Sequence, residues 1–320
     1  MTVIQIPILL ITFNRPDHTR RVLEAVLAVQ PQDLYVFQDG ARNENDEDKC
    51  VKVREVIEKV TSESSIRLHA FYSDKNLGCG PGPVAALNWF FGQNEMGIIL
   101  EDDAVPHPDF FPFCEEMLTR YKDDDSVRAI GSMNLEARTY GDGSYYFSMM
   151  NRTLCAWATW SRAWADFDYY HRKVSRFQLD HCLKKYGCGL RMREYWCERL
   201  AEIQKDAYHD SSWDQQFWMS IWLHQGKGIM PNVNLCSNIG FDSEATHTFN
   251  TNSVAANRKT FPIMPLKHPC DMQIIHEADE RFQKLYFQPW DYGWNGVKRF
   301  PYRLNKRIKR LVGHQGSWFK

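Results

Sequence analysis

Residues 97–110 read GIILEDDAVPHPDF. A short apolar run, with the composition of a strand covered on both faces, passes directly into Glu101, Asp102 and Asp103. A proline turn and Phe110-Phe111 follow. Three adjacent carboxylates repel one another, so placing them where a buried strand surfaces calls for a counter-charge. A divalent cation of the Mg²⁺ or Mn²⁺ type, which takes hard oxygen ligands and keeps positions for water and phosphate, has the matching chemistry. A solvated acidic turn has the same composition, and the surrounding sequence has to decide between the two.

Outward from this stretch, strand and helix signals alternate. VIQIPILLITF (3–13) is a near-continuous apolar run, and the next segment has helical spacing at Val22, Leu23, Val26 and Leu27 with Pro16 suited to its first turn. DLYVFQDG (33–40) predicts a second strand, 47–60 an amphipathic helix, 66–73 a third strand and 82–94 a helix. The fourth strand is 97–103, followed by a helix over 109–124 and a fifth strand over 127–134. This alternation predicts an α/β fold with a mostly parallel, doubly wound sheet. In such sheets ligands sit beyond the carboxyl ends of the strands. Three polar clusters fall at those ends: Asn14-Arg15 after the first strand, Asp39-Gly40 after the second, and the acidic triplet after the fourth. The second half is less regular, with a dense aromatic segment at 155–167, helices expected at 190–207 and 211–227, and one strand over 229–241. Ser211 or Ser212 is a plausible cap for the later helix.

The 320 residues suffice for one large unit, and no internal repeat or low-complexity linker divides them. Nine scattered cysteines form no CxxC pair and no zinc-ligand spacing, which suits reduced thiols in a cytoplasmic protein. The amino terminus reads as a first strand, neither a signal peptide nor a membrane span. Residues 297–320 hold eight of the 39 basic residues and none of the 40 acidic ones, leaving the rest with nine more acids than bases. Such a tail suits an anionic membrane face, or equally a solvated helix on an acidic body. Its confinement to one end argues against nucleic acid as a partner.

Several side chains bear chemistry. Asp39 can accept from a base or ribose, or simply close a turn. Arg15 can meet a diphosphate or stabilise a loop. DKNLGCGPGP (74–83), with Asn76 and Gly78, leads glycine-rich into a helix whose amino terminus attracts anions. It lacks the Lys-Ser/Thr of a P-loop, so it fits the wall of a nucleotide pocket and not ATP hydrolysis. Asp214, flanked by Trp213, Phe217 and Trp218, can have a raised pKa and serve as a general base, although a first-turn Asp also suits the helix dipole. The 11 tryptophans are dense between residues 145 and 222, so Trp157, Trp160 and Trp213 can wall a sugar site or fill a core.

The stretches PILLITFNRP (7–16), VFQDG (36–40), ILEDDAVPHPDFF (99–111), CAWATWSRAW (155–164), SSWDQQF (211–217) and VNLCSNIGFDSEATHT (233–248) together resemble the GT-A glycosyltransferases. Within them, the nearest are the Golgi N-acetylglucosaminyltransferase that begins complex N-glycans and bacterial hemolysin-like members. The resemblance implies a nucleotide-sugar-binding α/β half over 1–135, a mixed acceptor-binding half over 136–260, and a C-terminal extension over 261–320. It makes EDD the metal and nucleotide motif, with Asp103 the direct ligand of Mn²⁺ or Mg²⁺, and Glu101 and Asp102 assisting through the ribose or by orienting the pocket. Thr12, Asn14, Arg15, Asn76 and Gly78 would line the nucleotide-sugar site, and Asp39 would read the nucleobase. Asp214 would be the base of an inverting hexosyl or N-acetylhexosaminyl transfer from a uridine-diphosphate sugar to a glycan or lipid-linked glycan. Here the chain departs from the Golgi enzyme, which has two consecutive acids after the Trp where this one has Asp214-Gln215. Residues 237–257 would form a donor-closing loop through Asn238, Asp242 and His247. Two other classes compete: a non-catalytic carbohydrate- or membrane-binding protein, and a sugar nucleotidyltransferase, which ITFNRPDHTR disfavours by lacking the glycines of a triphosphate loop.

Overall fold

A computed structural model of the chain describes residues 3–151, 155–205, 213–241 and 256–287. Two compact units are present, Met1–Ile275 and His276–Lys320. Among the described residues of the first, the strands run β1 (Ile8–Thr12), β2 (Asp33–Gln38), β3 (Arg67–Tyr72), β4 (Met96–Glu101), β5 (Ala104–Pro106), β6 (Val127–Gly131), β7 (Tyr145–Ser148), β8 (Ala156–Trp160), β9 (Lys227–Pro231) and β10 (Cys236–Asn238). The helices are α1 (Pro16–Leu27), α2 (Glu44–Ser62), α3 (Pro81–Phe91), α4 (Phe110–Arg120), α5 (Ser161–Trp164), α6 (Arg176–Lys185), α7 (Leu190–Ile203) and α8 (Asp214–Leu223).

Eight strands form one sheet in the order β3-β2-β1-β4-β8-β6-β9-β7. β1 to β4 are parallel, β8 runs antiparallel between β4 and β6, β9 is parallel to β6, and β7 closes the edge antiparallel. The fold is therefore α/β, with a mostly parallel sheet whose second half is mixed. Local chemistry explains the elements. Pro16 opens α1, whose Val22, Leu23 and Val26 are buried. Asn43 caps α2, its side chain accepting from the Asp46 N–H at 3.0 Å, with three acids in the first turn to complement the helix dipole.

Two expectations are corrected. The strand expected over 229–241 is two strands, because the intervening residues turn away to serve a network of buried amides. Asn232 donates to the Tyr140 and Gly143 carbonyls, at 2.8 and 2.9 Å, and accepts from the Tyr140 N–H. Asn234 donates to the Cys236 carbonyl at 2.7 Å. The chain then returns as β10, antiparallel to β5, with Asn238 opposite Ala104. The aromatic segment 155–167 supplies β8, whose five residues are all buried. Trp157 and Trp160 offer a sugar no face, being 0 % and 2 % exposed, and the Trp160 indole donates to the Leu118 carbonyl at 3.1 Å.

The second unit holds a helix, His276–Phe282, continuing as a π turn over Gln283–Phe287, with Phe282 stacked on Tyr286. The basic tail, 297–320, lies outside the described residues. Among the described residues no helix is long and apolar enough to cross a membrane.

Candidate active site

The carboxyl ends of β1, β2 and β4 bring three polar groups to one side of the sheet, as parallel strands require. A cavity of about 460 Å³ opens there, its wall including Thr12, Arg15, Asp39, Asn76, Gly78, Glu101, Asp102, Asp103, Trp213 and Asn238.

Asp39 follows β2 and is buried. Its Oδ1 accepts from the N–H groups of Gly40 (2.9 Å) and Leu77 (2.8 Å), and its Oδ2 from the Gly78 N–H (3.0 Å) and Asn76 Nδ2 (3.1 Å). Asn76 also donates to the Gly40 carbonyl at 2.7 Å. Gly78 has φ +86°, a left-handed turn that glycine adopts without strain. The carboxylate thus ties the glycine-rich loop to the end of β2. Burial pushes the Asp39 carboxyl upward, against the pull of those backbone donors.

The acidic triplet closes β4. Arg15, the N-cap residue of α1, places Nη2 against Asp102 Oδ1 and at 3.2 Å from Asp103 Oδ2. Asp102 Oδ2 also accepts from the Phe13 N–H at 3.4 Å. Asp103 Oδ1 is buried and has no hydrogen-bond partner. Burial opposes the Arg15 charge, yet Asp102 and Asp103 together raise its pKa, so the guanidinium stays ionised. Burial raises Glu101 to about 8, with Asp103 and Asp102 adding to the push and Asp214 contributing a smaller share. Asp103 is likewise raised by burial, and Arg15 opposes the shift.

β10 finishes the cluster. The Ile239 N–H donates to the Asp103 carbonyl at 2.9 Å, and the Ile239 carbonyl lies 3.3 Å from His18 Nε2 on α1. Asn238 donates to the Cys155 thiol (2.8 Å) and accepts from the Gly240 N–H (2.8 Å). Gly240 lies so close to the ion pair that a Cβ there would overlap the Asp103 carboxylate and come within 2.9 Å of Arg15 Nη1. Trp213 lines the cavity immediately before Asp214, the first residue of α8, and packs on Trp157 with ring centroids 5.5 Å apart.

The structure does not gather every residue expected in the site. Asn14 turns away: its amide donates to Asp46 Oδ1 at 2.7 Å and pins the β1–α1 turn to the start of α2. Trp157 backs the site from the core, and Trp160 lies in the core against α4. Asp242, His247 and the serines 211 and 212 lie outside the described residues; the residue that caps α8 is Trp213, with no side-chain cap hydrogen bond. Sequence reasoning missed Phe13, Arg42, Gly240 and Phe241, all in the cavity wall. The Arg42 guanidinium lies 5.0 Å from the Phe13 ring centroid. Their one signal was proximity to a strand end.

Among the described residues, no three His, Cys, Asp or Glu side chains are grouped to hold a metal ion. The donor set nonetheless fits a hard cation in part. Asp103 offers a buried, unpartnered oxygen, and Glu101 a second carboxylate in the same wall. Mg²⁺ and Mn²⁺ commonly take one or two carboxylates and leave the rest of their sphere to water and phosphate.

No family model matches the chain. Among solved structures it is similar to UDP-glucose pyrophosphorylase complexed with UDP-glucose, at 10 % identity and a TM-score of 0.32, over 51 % of this chain and 79 % of that one. It is similar to HddC from Yersinia pseudotuberculosis at 9 % identity and a TM-score of 0.31, over 51 % and 80 %. A third is 4-diphosphocytidyl-2C-methyl-D-erythritol synthase from Anaerococcus prevotii, at 12 % identity and a TM-score of 0.33, over 51 % and 74 %. Overlap at this level assigns this chain no activity.

Proposed function

We propose that the chain is a metal-dependent, inverting glycosyltransferase of the GT-A class that uses a nucleoside-diphosphate sugar, with uridine the favoured base. The observation that supports this best is the convergence, in one cavity, of Arg15, the Asp39-ordered loop, the three acids and Trp213, the residue immediately before Asp214. The cavity has the size of a small-molecule site. The guanidinium supplies paired donors that suit a diphosphate, and the loop shapes the wall beside it.

Asp103 and Glu101 would hold the cation, which when bound neutralises charge on the departing nucleoside diphosphate. Asp214 takes the proton from the acceptor hydroxyl as that oxygen attacks the anomeric carbon. Trp213, mostly buried against Trp157, adds an apolar edge to the cavity wall. The acceptor is a glycan or lipid-linked glycan at the cytoplasmic membrane face, with the basic tail as the contact.

The experiment is thermal unfolding against UDP, GDP, CDP and ADP with Mn²⁺ or with chelator, followed by donor hydrolysis and transfer assays. A folded-state ligand raises the midpoint. Metal-dependent stabilisation by one nucleotide, lost in Asp103→Asn, is expected. Asp214→Asn should keep that stabilisation and lose transfer. Indifference to every nucleotide would refute the reading.

A further inference from the structure

We propose that Arg15 is a built-in counter-ion, holding Asp102 and Asp103 together until a divalent cation and a diphosphate arrive jointly, when it passes from Asp103 to the diphosphate. The diphosphate half of this proposal rests on the transferase reading; the cation half does not.

The geometry points to exchange. One guanidinium nitrogen serves both carboxylates, against Asp102 Oδ1 and at 3.2 Å from Asp103 Oδ2. Asp102 and Asp103 share this one guanidinium, and Asp103 keeps one buried oxygen with no hydrogen-bond partner. A cation approaching that oxygen meets a carboxylate already neutralised on its other side, and the positive charge of Arg15 opposes it. Arg15 also lines the cavity that the Asp39 loop walls, so it can turn toward a ligand there without leaving its place at the start of α1.

A diphosphate is the partner that guanidinium geometry favours, through paired hydrogen bonds that an ammonium cannot reproduce. Once Arg15 turns to it, Asp103 is left for the cation. Cation and nucleotide therefore bind with positive coupling, and the coupling is reciprocal. Gly240 packs a bare Cα against the pair, so only glycine leaves the two groups their present places.

The test is Mn²⁺ binding to chelator-cleared protein, followed by the electron paramagnetic resonance signal of free Mn²⁺, with and without UDP. Wild type should bind Mn²⁺ weakly alone and roughly tenfold or more tightly with saturating UDP. Arg15→Gln should bind Mn²⁺ alone roughly tenfold more tightly than wild type, and UDP should add less than about threefold. Arg15→Lys, which keeps the charge but not the fork, should fall between them, and it decides the matter if circular dichroism shows that the glutamine variant does not fold. Asp103→Asn should lose Mn²⁺ in every case. Unchanged or weaker Mn²⁺ binding in folded Arg15→Gln, or in Arg15→Lys where only that variant folds, overturns the counter-ion. Should UDP bind wild type under no condition, the donor reading fails, and the Mn²⁺-alone comparison still decides the role of Arg15.

Discussion

Asp39→Asn keeps the shape of the side chain and turns one acceptor oxygen into a donor. Each carboxylate oxygen accepts two hydrogen bonds, from Gly40 and Leu77 on one side and from Gly78 and Asn76 on the other. Whichever oxygen becomes NH₂, two donors then face a donor, and the surviving pair loses its charge. Hydrogen bonds to a charged group contribute about 1.5–3 kcal/mol each, so the gross loss is about 3–6 kcal/mol. Relief works the other way. Burial already pushes the Asp39 carboxyl upward, and a neutral amide avoids the desolvation that causes this. A net destabilisation of about 2 kcal/mol is left, equivalent to a fall in melting temperature of about 3–4 °C for a domain of this size.

Those bonds order the loop that walls the cavity, so the same loss should weaken nucleotide binding by about 25-fold. The decisive feature is uniformity across bases. A carboxylate that reads the base would change the ranking of UDP, GDP, CDP and ADP when altered. One that only shapes the wall weakens all four by the same factor. Calorimetric titration of each nucleotide with Mn²⁺, beside thermal unfolding, separates the two. A variant that melts within about 1 °C of wild type, or that reorders the bases at unchanged stability, refutes the loop-ordering role.

Three further outcomes follow from the same contacts. Gly240→Ala places a methyl group on the Asp103 carboxylate, and should lower stability by about 1–3 kcal/mol while removing the Mn²⁺-dependent rise in melting temperature with UDP; an unaltered metal response would show that the pair can move at no cost. Glu101 holds its proton to about 8 in the fold but releases it near 4.5 when unfolded, so it favours folding at low pH and progressively less as pH rises through that interval. Denaturant titrations in chelator at pH 6 and pH 9 should find Glu101→Gln more stable than wild type at pH 9 by about 1–3 kcal/mol, with the gap closing toward pH 6; a gap of constant size would mean that Glu101 is ionised throughout. Trp157→Ala should behave as a core deletion, losing about 3–5 kcal/mol of stability. A variant of wild-type stability with altered acceptor affinity alone would restore Trp157 to the sugar wall.

Residue type and local punctuation told most about where the chain turns. The apolar runs before Thr12, Asp39 and Glu101 marked three strand ends, and alternation with helices made those strands parallel, which forces their ends onto one side. Orientation at the strand ends was hidden. A carboxylate faces a ligand or the backbone according to which donors reach it, and the donors to Asp39 come from Leu77 and Gly78, on a loop beyond two further elements. Asn14 reads as a site residue until Asp46 takes its amide. The same blindness affected β8: AWATW has no alternation because both faces of that strand are covered, so its tryptophans look like a binding wall when they are core. Arg15 is the sharpest case. In the sequence it is one base after a strand and the acids are three carboxylates after another; only the register that sets β1 beside β4 makes them a single ion-paired cluster. The counter-charge that the triplet demands is therefore already supplied once by the protein itself, and any cation that serves the site has to compete with it.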